Sequence, residues 1–203
     1  LPGSLFPEVN MGTTGQLSRE SAMDSLYEQY AATPVLAELA AGRKLVRGHG
    51  PLDSPFLVVG EAPGAEEEKQ GKPFVGPSGS LLQELFHRAG IPWRLCYVTN
   101  TVCWRPPGNR TPYPFQVQAS WQRLADEITV VDPVVVVAAG SVAWHGVTRK
   151  DLGSFETARF QWHDLNGRRL LAVPHPAYIL RLPGDERRQW ERQTVDVLAQ
   201  AVS

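Results

Sequence analysis

Two kinds of apolar stretch alternate along the chain. Short runs at Phe56–Val59, Tyr97–Thr99, Pro133–Ala139 and Arg169–Val173 are rich in β-branched residues, bounded by glycine, proline or asparagine, and read as strands. Between them, apolar residues recur at spacings of three and four. Over Ser80–Ala89, residues Leu81, Leu82, Leu85, Phe86 and Ala89 share one helical face, and Gly90 stands where a C-terminal cap belongs. Ser21–Ala32, Val35–Ala41, Phe115–Val130, a segment opening at Gly140, and Asp185–Ala201 read as further helices. The run PVVVVAA is apolar all round, the pattern of a central parallel strand covered on both faces. Strands alternating with helices imply right-handed β-α-β units. The expected fold is therefore α/β, a three-layer α/β/α sandwich around a four-stranded parallel sheet.

What lies between these elements changes the picture. In such sheets ligands gather beyond the carboxyl ends of the strands. Here those loops are 60–77, 100–114 and 174–183, and they hold much of the chain's Gly, Pro, Asn and Arg. Composition narrows the class further. The 203 residues are 42% hydrophobic and 20% charged, with a formal net charge of −1. That suits one globular domain and excludes a disordered charged tail. No apolar run approaches the roughly 20 residues of a membrane span. With so little net charge, any nucleic-acid face must be local. Residues 1–20 are expected to lie outside the fold, disordered or left from processing or expression, and 21–203 to form a single domain. Cys96 and Cys103 form no C-x-x-C pair and read as buried free thiols of a reducing compartment.

Each loop offers candidate chemistry. Glu61 directly follows a buried strand, where a carboxylate is held in place and can orient a water. Glu66 and Glu68 read as solvated. Phe74, in a loop between glycines, suits either a stacking platform for a planar ligand or a loop anchor. Ser78 and Gly79 precede the helix read from Ser80, whose free N–H groups suit a phosphate or a simple cap by Ser78 or Ser80. Asn100 ends a strand with an amide able to read the edge of a base, or to make a turn. Arg105 and Arg110 follow, with no acidic residue over 101–125. His175 lies between two prolines in a basic span and can donate to a developing anion. Tyr178, Ile179 and Leu180, beside Arg181, could wedge into a base stack if the loop is exposed. No zinc-type His/Cys cluster, G-x-x-x-x-G-K-[ST], G-x-G-x-x-G or G-x-S-x-G occurs, which disfavours a mononuclear metal enzyme, a P-loop NTPase and an α/β-hydrolase.

Four strings, GEAPGAEEE (60–68), GKPFVGPSG (71–79), YVTNTVCWRPPGNRTP (97–112) and HPAYILR (175–181), stand in this order. Together they resemble the uracil-DNA glycosylase superfamily, most closely its family 4, over roughly residues 45–200. The resemblance implies an enzyme that hydrolyses the N-glycosidic bond of uracil in DNA. It implies Glu61 at the side of the attacking water, Phe74 stacking on uracil, Asn100 reading its edge and His175 donating to its O2. Glu67 stands where the family crowds the base C5 against thymine, and Ala62 where family 1 has a catalytic Asp. HPAYILR matches the intercalating loop. The implied partners are uracil-containing DNA and free uracil as product. A monomer in the cytoplasm, with no membrane contact, completes the expectation. A catalytically silent DNA-binding module on the same fold, or a glycosylase for another deaminated or modified base, remain the rival readings.

The resemblance has one departure. Family 4 carries a four-cysteine [4Fe–4S] cluster, and this chain has only two cysteines. The family's positions fall near 33–36, at Trp104, and near Ser120. Cys103 is one place early, and one step along a strand points to the opposite face. The expectation is therefore no cluster, no metal and no cofactor, with Trp104 plugging the space. The basic insertion of the superfamily's DNA-crosslinking branch is also missing after Asn100, so stable covalent capture is not expected.

Overall fold

A computed structural model of the chain describes residues 18–149 and 151–203. In order come helix α1 (Arg19–Ala31), a 3-10 turn, helix α2 (Ala37–Ala40), strand β1 (Phe56–Gly60), helices α3 (Ala65–Gln70) and α4 (Pro77–Arg88), and strand β2 (Cys96–Asn100). Helix α5 (Pro114–Val131), strand β3 (Val135–Ala139), helices α6 (Ser141–Thr148) and α7 (Phe155–Ala158), strands β4 (Trp162–Leu165) and β5 (Arg168–Val173), and helices α8 (Pro176–Arg181) and α9 (Gly184–Ala199) follow.

The sheet order is β2-β1-β3-β5-β4. Four strands run parallel, and β4 pairs antiparallel with β5. The expectation of four parallel strands is thus corrected to five strands mixed at one edge. β4 carries half-buried Trp162 and His163 and exposed Asp164, so no apolar run marked it. Its turn does carry a signal: Asn166 and Gly167, both with positive φ, form the two-residue hairpin that pairs Leu165 with Arg168.

Strand side chains alternate between two cores. Leu57, Val59, Val136, Ala138, Leu170 and Ala172 face α1, α5 and α6. Val58, Val98, Val137, Leu171 and Val173 face Leu82 and Phe86 of α4 and Val197 and Leu198 of α9. Period-two alternation on a sheet covered on both sides makes every residue of β1, β2 and β3 buried. This is the expected three-layer sandwich.

At the N-terminus, Ser18 caps α1 by accepting from the Ser21 N–H at 3.2 Å, and Arg19 donates to the Leu52 carbonyl at 2.6 Å. Folded structure therefore begins before residue 21. Residues 1–17 of the expected loose segment lie outside the described residues. Two segments read as plain loops hold the short helices α3 and α8.

Candidate active site

The chain leaves β1 to one side for β2 and crosses back to β3 on the other. That reversal opens a crevice at the carboxyl ends of the strands. A cavity of about 590 Å³ occupies it, walled by the segments after β1, β2 and β5. Glu61, Ala62, Glu67, Phe74, Ser78, Gly79, Asn100, Arg110, His175, Tyr178 and Arg181 all line it.

The floor is set by backbone geometry. β1 and β2 stay in register to their last pair, Gly60 with Asn100. Beyond it, Thr101 N–H donates to the Gly60 carbonyl at 2.9 Å and Val102 N–H to the Glu61 carbonyl at 3.1 Å. Phe74 comes back over this floor with φ 57, a left-handed backbone that is rare for a bulky residue. Gly79 allows it, because a Cβ there would collide with the Phe74 backbone. The Gln83 side chain donates to the Phe74 carbonyl at 2.9 Å, and Trp93 meets the ring edge-on at 5.8 Å. The ring and the Asn100 amide then converge on Gly60. A Cβ at Gly60 would clash with Asn100 Oδ1 and lie 2.8 Å from Phe74 Cζ.

His175 enters from the end of β5 as the N-cap of α8. Its ring packs over Gly140, whose φ of 96 suits only glycine and where a Cβ would lie 2.9 Å from His175 Cβ. Ala177 N–H donates to His175 Nδ1 at 3.2 Å. Burial, helped by the Arg181 charge, lowers the imidazole pKa from 6.5 to about 4. The ring is therefore neutral near pH 7. With Nδ1 accepting, the hydrogen-bond network assigns the proton to Nε2.

The carboxylates differ in their surroundings. Burial raises the Glu61 carboxyl above its ordinary range, and a hydrogen bond from the Thr111 side chain offsets part of the rise. Glu67 accepts from Gly76 N–H at 2.7 Å, which fixes it at the cavity wall. Glu68, read as solvated, is a partner of Arg105 at 3.3 Å.

The structure brings most of the sequence candidates together, but not all. Arg105 is absent from the cavity lining; besides Glu68 it holds Asn109 Oδ1 at 2.7 Å. Ile179 is fully buried with Leu81 and Leu85 of α4, and Leu180 is half-buried against that cluster, so neither lines the cavity. Tyr178 is 41% exposed and rests on Trp190 at 5.2 Å. Thr111 was missed as a site residue although it stands within the third string, where nothing in the spacing singles out its hydroxyl.

The region where the resemblance places a metal cluster holds no set of cluster ligands. Tyr30 stacks on Trp104 at 4.9 Å, Ser120 Oγ meets the Tyr30 hydroxyl at 2.8 Å, and Leu36 is fully buried. Cys103 is not on a strand: it follows β2 and is buried in the same core as Trp104, so opposite faces do not describe the pair. Burial raises its thiol to about 11 and that of Cys96 to about 12. A tetranuclear cluster does not fit these residues. Among the described residues, no group of three or more His, Cys, Asp or Glu is placed to hold a metal.

Residues 47–199 match the family model described as the uracil DNA glycosylase superfamily. The chain is 35% identical to a type-4 uracil-DNA glycosylase of Thermotoga maritima, over 85% of this chain and 90% of that protein. It is 34% identical to one from Pyrobaculum aerophilum, over 70% of this chain and 76% of that protein. A third, from Archaeoglobus fulgidus, is 32% identical over 68% of this chain and 73% of its own length.

Proposed function

The chain belongs to the uracil DNA glycosylase superfamily, and from that membership and the cavity's geometry we propose that it hydrolyses the N-glycosidic bond of uracil in DNA. The observation that carries the reading is the meeting of Phe74 and Asn100 over Gly60, beside a neutral imidazole whose remaining proton is on Nε2.

The everted deoxyuridine stacks on Phe74, and the Asn100 amide bonds its N3–H and O4. Glu67, held by Gly76, stands at the wall on the side of C5. As the C1′–N1 bond breaks, its electron pair stays on the base. His175 Nε2–H donates to O2, where the charge accumulates. The imidazole acts without being a cation, so it stabilises the leaving anion as a dipole. Glu61, less acidic than an exposed carboxylate, orients a water that adds to C1′ and takes up its proton. The products are an abasic site and free uracil. Arg110, Tyr178 and Arg181 at the cavity mouth, with Ser78 and Gly79 at the start of α4, meet the DNA strand. One chain supplies every group, which suits a monomer, and two buried free thiols suit the reducing cytoplasm.

Incubation of the purified protein with a uracil-containing oligonucleotide, then alkali, tests the reading through strand cleavage at the uracil. Removing one preorganised donor costs about a hundredfold or more in rate. His175→Ala and Asn100→Ala are each expected to slow release to that extent. Release by His175→Ala at the wild-type rate removes that residue from the mechanism. Oligonucleotides bearing hypoxanthine, xanthine or thymine, run alongside, decide the base.

A further inference from the structure

Behind the pocket floor lies a buried charge that the scheme above does not use. Arg123 and Glu127 sit one turn apart on α5, with side chains 2% and 0% exposed, and pair directly. Glu127 also accepts from the hydroxyls of Tyr27 at 2.6 Å, Tyr97 at 2.7 Å and Thr99 at 3.0 Å. A buried ion pair is a poor device for stability alone, since well-packed apolar residues often serve as well or better. What distinguishes this one is where the guanidinium points. Arg123 Nη2 donates to the Asn100 carbonyl at 2.6 Å and to the Thr101 carbonyl at 2.7 Å. The N–H groups of the same two peptide units donate to Gly60 and Glu61. Each peptide plane is therefore held at both ends, by Arg123 on one side and by the end of β1 on the other.

We propose that Arg123 is a positioning residue for the base pocket: held by Glu127, it locks the two peptide units that orient the Asn100 amide and tie it to Glu61. The inference rests on the uracil reading for the role of Asn100. Arg is suited to the task because one planar fork reaches the carboxylate, the Thr99 hydroxyl (3.2 Å from Nη1) and both carbonyls at once. Lysine keeps the charge but cannot span the set. Through this network α1 is joined to the site as well, by way of Tyr27, which also accepts from Gly48 N–H at 2.6 Å.

The test is a double-mutant cycle on single-turnover uracil release. A displacement of about 1 Å in a reacting group can cost about a hundredfold. Arg123→Lys is expected to slow release about 10- to 100-fold while leaving affinity for abasic-site DNA within about threefold. In an Asn100→Ala background the same change is expected to matter less than about threefold, because the group it positions is gone. A folded Arg123→Lys protein with the wild-type rate overturns the proposal, as does a double variant whose loss is the product of the two single losses. Should Arg123→Lys fail to fold, Thr99→Val removes one support of the guanidinium at constant shape. A slowing of about 3- to 10-fold, again masked by Asn100→Ala, supports the clamp, and no slowing overturns it. Amide hydrogen exchange reads the clamp without substrate. In whichever variant folds, Thr101 and Val102 are expected to exchange at least about tenfold faster relative to Val137, and unchanged protection overturns the proposal. A wild-type protein that releases no uracil defeats the functional reading instead, and the exchange measurement still judges Arg123.

Discussion

The two faces of the sheet receive similar residues from the strands and cover them differently. Toward α4 and α9 the strands meet Leu82, Phe86, Val197 and Leu198. Toward α1 and α5 the core is interrupted by Arg123, Glu127, Tyr27, Tyr97 and Thr99, joined in one hydrogen-bonded set. Arg123 and Glu127 are the charged side chains buried among the described residues. The first face does what burial of apolar area does, without direction. The second uses directional bonds, and they end on the backbone of the pocket floor. The difference teaches that the α4 side shapes the pocket by packing around Phe74, while the α5 side aims the last residues of the strands with directional bonds.

Substitutions on the two faces break or sharpen this contrast. Glu127→Ala leaves the Arg123 charge buried and unpaired, and is expected to destabilise by about 3–5 kcal/mol in urea unfolding. An effect below about 1 kcal/mol would mean that water reaches the pair and that the two faces are not so different. Leu198→Ala, on α9 of the apolar face, is expected to cost about 2–4 kcal/mol by the same measurement, while leaving the rate of uracil release per folded molecule unchanged. A loss of rate there would show that α9, and not α4 alone, shapes the site from this face. The smallest effect belongs to pH, and it acts at the buried imidazole of the pocket. The folded imidazole of His175 protonates near 4, and the unfolded one near 6.5. Between these values the unfolded chain binds the proton and the folded one does not. Its contribution is therefore complete above about pH 6.5, falls on acidification, and is fully lost below about pH 4. From about pH 7.5 to 5.5 the loss is about 1 kcal/mol, and His175→Gln is expected to abolish that part of the slope.

Much of this was legible in the chain because it depends on local pattern. The apolar β-branched runs at 56–59 and 135–139 form the buried strands their pattern suggests, though Val134 just before the second is exposed, and the stripe of Leu81, Leu82, Leu85 and Phe86 faces a core. Glu61, Asn100 and His175 were legible because each lies at or just after a strand's carboxyl end, whereas Thr111, deep in a loop, was not. What was hidden depends on partners far away in sequence. Arg123 and Glu127 have the i,i+4 spacing of an exposed helix pair, and only the packing of α1 over α5 buries them. Ile179 and Leu180 lie in a string that suggested a wedge, yet they pack onto Leu81 and Leu85 of α4. β4 was hidden by its half-polar sequence, although Asn166-Gly167 announced the hairpin. Cys103 and Trp104 were treated as strand residues, but β2 ends at Asn100 and the chain bends before reaching them.

Gly60 carries a consequence for how this protein can change over generations. The aromatic plate and the amide both close in on a position with no side chain, so even a single added methyl would strike both. Mutational drift can remodel the rim and the outer helices while the fold persists, but at this one place the smallest alteration available to a codon strikes the heart of the site.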